Sequence, residues 1–446
     1  MKGKAMVKPG VDKLRYEHLK AMIGRNSEPS PQEEEFCTLF AELLTLIIRG
    51  EYPVDIKCML RDNELIALDK GNDDIRPIGM GETIRKVVSS VAFKRTAAFN
   101  STHLRHQYGL KRNGAEHIIH SIRFLMEEHP TWDLYCVDAD NAFNRANRVR
   151  GLKEVCIHQP ELLPLMKDMY DCISNGWYNG LSQGASSIPS KNGYHQGDVL
   201  ASWMYVMTMH PLINRVDEII AAEFPNEAYY QGWYIDDGNI LAPRPVMKRI
   251  IQVLQEEGPS FGYIIKKNKG SYLLGKCASR VVALLTKAEL VNSMGLSQDI
   301  IHVSPLDELV QSVAVCGAKV LGSPVGSIPY ILSFCNDYLQ DLRQVAADLI
   351  NFPDVQSRFL LFINCFLPKV NFLFRTLPTE FLSDFVTQFE ELTVEILASI
   401  LGCASNEISE ENFGQMCFGI SCGGLGMHFA IIAMEEIHIA SNCAFD

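Results

Sequence analysis

Apolar residues in this chain recur at two spacings. Leu14, Leu19, Met22, Phe36, Leu39, Leu43, Leu44 and Ile47 fall at helical intervals, so residues 13–50 are expected to be helical. The same period fills 114–128, 146–175 and 198–222, and it returns over Val345–Leu361 and Phe381–Leu401. Two short apolar runs bounded by charged or turn residues, Leu65–Leu68 and Leu134–Val137, predict buried strands. Tyr229–Leu241 predicts a hairpin turning on Asp236-Asp237-Gly238. Helix and strand alternate, which implies an α+β body. Strand patterns fade near residue 328, so the expected division is a mixed body over 1–327 and a helical lobe over 328–446. No repeat, low-complexity tract or Gly/Ser linker interrupts the chain.

Composition narrows this picture only slightly. At 446 residues, with 47% hydrophobic and 21% charged positions, the chain suits a globular protein of more than one lobe. The apolar runs, such as Leu43–Ile48 and Met427–Met434, fall short of the roughly 20 residues a spanning helix needs, so no membrane partner is expected. The first ten residues lack the apolar core of a secretory leader. Thirteen cysteines without a CxxC pair do not resemble a disulfide framework, and a reducing, intracellular setting is expected. Cys417, Cys422, His438 and Cys443 have a spacing loosely compatible with zinc, but the apolar, glycine-rich stretch between them reads better as half-buried core.

Charge is less welcoming to a polyanion. The net charge is -12, yet residues 376–446 hold eleven Asp or Glu and no Lys or Arg, so the rest of the chain is nearly neutral. A basic channel depends on clustering rather than on the total.

Three segments carry chemistry. Tyr135-Cys136-Val137-Asp138-Ala139-Asp140 is a strand that ends in carboxylates, and Tyr234-Ile235-Asp236-Asp237 places two more in a tight hairpin. Between them, His195-Gln196-Gly197-Asp198 is a glycine-bearing turn that opens a helix. Phosphoryl transfer by the two-metal route needs carboxylates from separate strands around a pair of Mg²⁺ ions. Asp138 and Asp236 are placed to bridge two such ions, with Asp237 beside them and the Ala139 carbonyl as a further ligand. Mn²⁺ is a plausible substitute for Mg²⁺.

The ordered motifs resemble the reverse transcriptase domain of non-LTR (LINE-type) retrotransposons almost from end to end. Pro9-Gly10-Val11-Asp12-Lys13-Leu14-Arg15-Tyr16-Glu17-His18-Leu19 is similar to that family's opening segment, and Leu68-Asp69-Lys70 with Arg76-Pro77-Ile78, Gly81-Glu82 and Arg85 resembles its fingers segment. Gln107-Tyr108-Gly109, Gly114-Ala115-Glu116 and Asn141-Ala142-Phe143-Asn144 match further family signatures. Gly262, Lys266 and Lys269, Leu321-Gly322 and Gly423-Gly424-Leu425-Gly426 follow in order. The segment after Gln196-Gly197 departs by losing two prolines, at Val199 and Ser202, and Lys266 replaces an asparagine.

The resemblance implies a right-hand polymerase with fingers and palm over 1–327, the palm an antiparallel sheet carrying the catalytic aspartates, and a helical thumb over 328–446. It implies an RNA-directed DNA polymerase that joins dNTP to a DNA or RNA primer on an RNA template. Phe143 stands where related RNA-dependent RNA polymerases carry an aspartate for the 2′-OH, and its ring would exclude that hydroxyl by clash. Lys70 and Arg76 would hold the triphosphate, and Gln196 and Gly197 would let the backbone approach the template. Lys269 would protonate the leaving pyrophosphate, a general-acid role. Lys369 and Arg375, the last basic residues, would touch the duplex backbone. A viral RNA-dependent RNA polymerase and a decayed, nucleic-acid-binding derivative are the alternatives. No endonuclease or RNase H constellation is visible, which suggests a fragment or reduced derivative of a longer element protein.

Overall fold

The computed structural model describes residues 10, 13–23, 29–71, 74–180, 184–277, 280–303, 316–427 and 430–443. The N-terminal helical stretch is two helices, α1 (Tyr16–Ile23) and α2 (Pro31–Arg49). Ser30 caps α2 by accepting from the Glu33 N–H while the Glu33 carboxylate accepts from the Ser30 N–H, with Pro31 fitting the first turn. After α3 (Val54–Arg61) comes the first sheet. Its strands are β1 (Asn63–Gly71), β2 (Asp74–Met80), β4 (Ser174–Gly180) and β5 (Gly184–Ser190), in the order β2-β1-β4-β5. Each hairpin pairs along seven positions, but β1 and β4 join the hairpins in parallel through only Asn63↔Gly176 and Glu64↔Trp177.

The second sheet has β3 (Asp133–Val137) in its middle, flanked by β7 (Asp237–Ala242) and β8 (Ser271–Leu274). Beyond these lie β6 (Tyr230–Tyr234) and β9 (Ile301–Val303), giving the order β6-β7-β3-β8-β9. Alternation along β3 decides what each face meets. Tyr135 and Val137 enter the largest core, with α4 (Thr83–Arg95), α5 (Ala97–Thr102), α7 (Ala142–Arg145), α8 (Arg148–His158), α9 (Leu163–Tyr170), α10 (Ala201–Glu223) and α11 (Arg244–Phe261). Leu134 and Cys136 face the other way, toward α6 (Gly114–Glu128) and the hairpin of β10 (Gly317–Val320) and β11 (Ser323–Gly326).

The expected helix over 146–175 is interrupted. It resolves into α8 and α9, and then the chain leaves as β4. The β4–β5 hairpin carries Ser, Asn and Gly in place of alternating apolar residues, so the pattern did not announce it. Its register comes from partners distant in sequence: Asp62 accepts from the Asn175 N–H at 2.8 Å and from the Trp177 indole at 2.9 Å. The helices over 114–128 and 198–222 and the strand Leu134–Val137 form close to the expected bounds, and Val345–Leu361 is the end of one helix and the whole of the next. Leu65–Leu68 does form a strand, but not the buried one expected: Ala67 and Leu68 are exposed at the far end of β1.

Helix α12 (Arg280–Met294) completes the mixed body, and the chain from Ile328 on is helical among the described residues. Its helices are α13 (Ile328–Ile350), α14 (Val355–Leu361), α15 (Asn371–Thr376), α16 (Ser383–Leu401), α17 (Glu410–Met416) and α18 (Ala430–Cys443), around a core of their own. Among the described residues, the helical run Val355–Thr376 is long and apolar enough to cross a membrane by length and composition alone, contrary to the sequence expectation. Its Phe362, Phe366, Val370, Leu373 and Phe374 pack into that lobe's core, as the inner face of a core helix does.

The end of α3, which leads into β1, is held against the helical body by a buried ion pair. Arg85 on α4, 2% exposed, pairs with Asp198 and donates to the carbonyls of Leu60 and Arg61 at 3.0 and 2.8 Å. Asp198 also accepts from the Tyr170 hydroxyl at 2.7 Å and the Leu200 N–H at 3.0 Å. Burial alone would raise the Asp198 carboxyl; the Arg85 charge and these donors outweigh it and hold it below the usual range. His195 beside them is pushed down to about 3, by burial and then by Arg85, so it stays neutral.

Removing one partner would strand the other charge in the interior. Asp198→Asn and Arg85→Met are each expected to destabilise the protein by about 3–5 kcal/mol in chemical denaturation. Because the Asp198 carboxyl is lowered on folding, its contribution is complete above about pH 4 and fades as pH falls below that. A loss no larger than that of an exposed pair, about 1 kcal/mol, would deny the pair this role.

Candidate active site

The carboxylates meet because two neighbouring strands end together. β3 and β7 pair antiparallel through Val137↔Gly238, so the next step of that register sets Asp138 opposite Asp237. Asp138 is then held from its other side, where its carbonyl accepts from the Lys266 N–H at 2.8 Å and the Asp140 N–H donates to Ile264 at 2.8 Å. Ala139 and Ile265 form the bridge between these bonds, which leaves the Ala139 carbonyl outside the ladder.

The electrostatics show the cost of this convergence. Burial raises the Asp236 carboxyl, as does Asp138, while its own N–H and the Arg76 charge act against the rise. Burial, then Asp236, then Asp138 push Asp237 up to about 7. Asp237 opens to solvent along one side, so water screens part of that push. A carboxylate cluster short of positive charge is what a divalent cation would relieve. No three His, Cys, Asp or Glu side chains among the described residues form a preset cage. That is compatible with Mg²⁺, which takes one or two carboxylates and completes its shell with waters and phosphates. Cys417, Cys422, His438 and Cys443 make no metal group either among the described residues.

The hairpin turn differs from the sequence expectation. Tyr234 pairs with Asp237, so the two turn residues are Ile235 and Asp236, and Asp237 already belongs to β7. Ile235 has φ 60, a left-handed conformation that costs a β-branched residue about 1–2 kcal/mol. Gln107, 3% exposed, holds it there. Its carboxamide oxygen accepts from the Ile235 N–H at 2.8 Å and the Gly109 N–H at 3.0 Å, and its NH₂ donates to the Ile235 carbonyl at 3.2 Å. A Cβ on Gly109 would come within 2.7 Å of the Ile235 nitrogen, so this close docking requires glycine. The Gln107-x-Gly109 spacing was visible in the sequence, but its work on the aspartate turn was not.

The other expected residues gather unevenly. Phe143 on α7 is half-buried and stacks on Tyr205 of α10, with ring centroids 5.0 Å apart and 18° between planes. Arg76 is exposed on β2, and its charge reaches Asp236 across the cleft. Lys70 lies on β1, but its side chain is outside the described residues. Gln196 and Gly197 seat on β2: the Gln196 carbonyl accepts from the Gly79 N–H at 2.7 Å, and a Cβ on Gly197 would stand 2.8 Å from the Gly79 carbonyl. Glycine is therefore needed there for contact with the sheet, apart from any template.

Lys269 is exposed in the turn before β8, on the segment that pairs with Asp138 and Ala139. Lys369 is exposed in the helical lobe, far along the chain from the aspartates. Arg375 is not the free cation expected: it pairs at 3.0 Å with Glu116, a residue 7% exposed, and so joins α15 to α6. Tyr205 and Gln107 are the site residues to which sequence reasoning gave no role.

Adjacent antiparallel strands that end together in carboxylates, on a sheet backed by helices, define the palm of a polymerase-type nucleotidyl transferase. Within that class the sequence is specific. Residues 68–309, more than half of the chain, match the model of the reverse transcriptase (RNA-dependent DNA polymerase) family, and the chain belongs to that family. No curated protein matches it in sequence.

Among solved structures, apo telomerase from Candida tropicalis is similar at a TM-score of 0.45 and 10% identity, over 86% of this chain and 63% of that one. Telomerase from Candida albicans with a fragment of telomeric RNA gives 0.44 and 10%, over 86% and 67%. The RNA-dependent RNA polymerase of BmCPV in its elongation state gives 0.37 and 10%, over 55% and 24%. The chain spans 51% of a C-terminally truncated C. tropicalis telomerase chain, so it covers about half to two thirds of these telomerases.

Gln107→Ala is expected to cost about 2–4 kcal/mol in unfolding experiments, because it leaves buried backbone groups unpaired. Adding Ile235→Gly to that variant should recover about 1 kcal/mol by removing the left-handed penalty. If Ile235→Gly instead destabilises both backgrounds equally, the turn is not strained as described.

Proposed function

We propose that this chain is an RNA-directed DNA polymerase of a retrotransposon-like element, which transfers nucleotides from dNTP to a primer 3′-OH on an RNA template. The observation that carries this reading is the convergence of Asp138, Asp236 and Asp237 at adjoining strand ends, where burial first and neighbouring carboxylates after it raise the carboxyls of Asp236 and Asp237. The motif order along the chain supports the retrotransposon assignment.

Asp138 and Asp236 would hold two Mg²⁺ ions, with Asp237 and the Ala139 carbonyl as further ligands. Such ions supply charge neutralisation at the attacking and leaving oxygens. The protein's own part is placement. Gln107 fixes the turn that presents Asp236, and the Ile264–Lys266 segment fixes the backbone of Asp138. Arg76 faces the cleft from the first sheet, which acts as fingers, and offers a guanidinium to a triphosphate. The Phe143 ring, backed by Tyr205, closes the space a 2′-OH would need. Lys269 lies on the turn beside Asp138, a position from which it could protonate the leaving pyrophosphate. The helical lobe acts as thumb, with Lys369 the exposed cation for duplex phosphates.

Primer extension on poly(rA)/oligo(dT) with Mg²⁺ or Mn²⁺, comparing dTTP with UTP, tests the reading. Asp138→Ala and Asp236→Ala are expected to abolish extension while the proteins stay folded; near-normal extension by either would remove the assignment. Phe143→Val should lower the ratio of kcat/KM for dTTP over UTP, and a wild type that already uses both equally would exclude the gate. A proton on Asp237 competes with a cation, so the Mn²⁺ concentration for half-maximal activity should rise as pH falls from 8 to 6. A flat dependence over that range would separate Asp237 from the cation.

A further inference from the structure

Three tyrosine hydroxyls lie on the helix side of the palm sheet with no protein group to bond. Tyr135 of β3, Tyr205 of α10 and Tyr263, just after α11, are 0%, 1% and 0% exposed. The hydroxyl oxygen of each is buried and has no hydrogen-bond partner. Tyr52 and Tyr230 also bury a hydroxyl oxygen without a partner, but away from this side of the aspartate turn, whereas three further tyrosines of the same body are satisfied. Tyr170 donates to Asp198 at 2.7 Å, Tyr272 donates to Asp133 at 2.9 Å, and Tyr194 pairs with Thr208 at 2.8 Å.

The three come from separate elements yet share one neighbourhood. Tyr135 is three residues before Asp138 on its strand. Tyr205 stacks on Phe143, and Tyr263 packs edge-on against Trp233, two residues before Ile235, at 5.7 Å and 71°. Burial first, then nearby charges, raise all three hydroxyls. Tyr135 feels Asp138, Tyr205 feels Asp236 and Asp237, and Tyr263 feels both other tyrosines and both of those aspartates.

An unsatisfied buried hydroxyl costs about 1–3 kcal/mol, so three together are an unusual expense for a dry interior. Buried hydroxyls left without a protein partner are commonly met by ordered water, which needs two to four polar partners. We propose that Tyr135, Tyr205 and Tyr263 form a socket for ordered water behind the Ile235-Asp236 turn, and that through it they orient Asp236 and Asp237 for divalent cations. They are positioning residues, touching neither primer nor nucleotide. This rests on the polymerase reading for the purpose of the carboxylates, but not for the water.

The test uses Tyr205→Phe and Tyr263→Phe, singly and combined, which keep each ring and its packing. Mn²⁺ binding is measured by electron paramagnetic resonance on the full chain without primer or dNTP, alongside Tm, dTTP KM and a crystal structure that resolves water. The expected result is about 10-fold weaker Mn²⁺ binding in the combined variant, an unchanged dTTP KM in Tyr263→Phe, and water density between the hydroxyls of the wild type. Tyr272→Phe, which removes one of the donors to Asp133 away from the turn, should lower Tm without changing Mn²⁺ affinity. Unchanged Mn²⁺ affinity in the combined variant overturns the proposal, and a raised Tm with it identifies a dry chamber. If the wild type binds no Mn²⁺, the polymerase reading fails; the water density then decides the socket, supporting it if present and overturning it if absent.

Discussion

Mutual repulsion among Asp138, Asp236 and Asp237 is the constraint around which the palm is arranged. Left to relax, such groups would separate or hold protons; burial first, and the neighbouring carboxylates after it, raise the carboxyls of Asp236 and Asp237. The backbone prevents separation. β3 and β7 fix Asp138 and Asp237 by register, and Gln107 spends its carboxamide on holding a turn that isoleucine would avoid. The site is thus preorganised by hydrogen bonds between main chain and one buried amide, a cheaper device than countercharges, which would compete with an incoming cation.

The same economy joins the lobes. Arg85 and Asp198 anchor α4 to the turn that opens α10, and the bonds of Arg85 to Leu60 and Arg61 place β1 against it. On the opposite side, Arg375 meets Glu116, and Arg123 donates to Ser323 and to the Pro324 carbonyl at 3.1 and 2.7 Å. Each link sets a guanidinium against a carboxylate, a hydroxyl or a backbone oxygen. The helical lobe is therefore docked on the palm through α6.

Much of this was legible in the sequence because the signals were local. The period of α10, the apolar run of β3 and the aspartates at both strand ends can be read from neighbouring residues. What stayed hidden depends on partners distant in the chain. Strands β4 and β5 take their register from Asp62 and from each other, so their polar composition gave no pattern. Arg375 looked like a free cation because nothing near it in sequence reveals Glu116, 259 residues away. The aspartate turn was placed one residue late because φ at Ile235 is imposed by Gln107 rather than chosen by isoleucine. The three unpaired tyrosines were invisible for the same reason: burial without a partner belongs to the packed fold.

The sparse joint in the first sheet has a mechanical consequence. Two backbone pairs, Asn63↔Gly176 and Glu64↔Trp177, with the bonds of Asp62 to Asn175 and Trp177 beside them, form the seam between its hairpins, while each hairpin is stiffened along its length. Such a sheet behaves as two levers on a short pivot. Arg76 sits opposite Leu68, four residues past the seam, which is an arm of about 13 Å. A rotation of about 10° at the pivot would carry its backbone roughly 2 Å, enough to make or break a contact between its guanidinium and a phosphate. Torque delivered to the hairpin by whatever occupies the cleft would thus be converted into a stroke at Arg76, with little disturbance to the sheet's base.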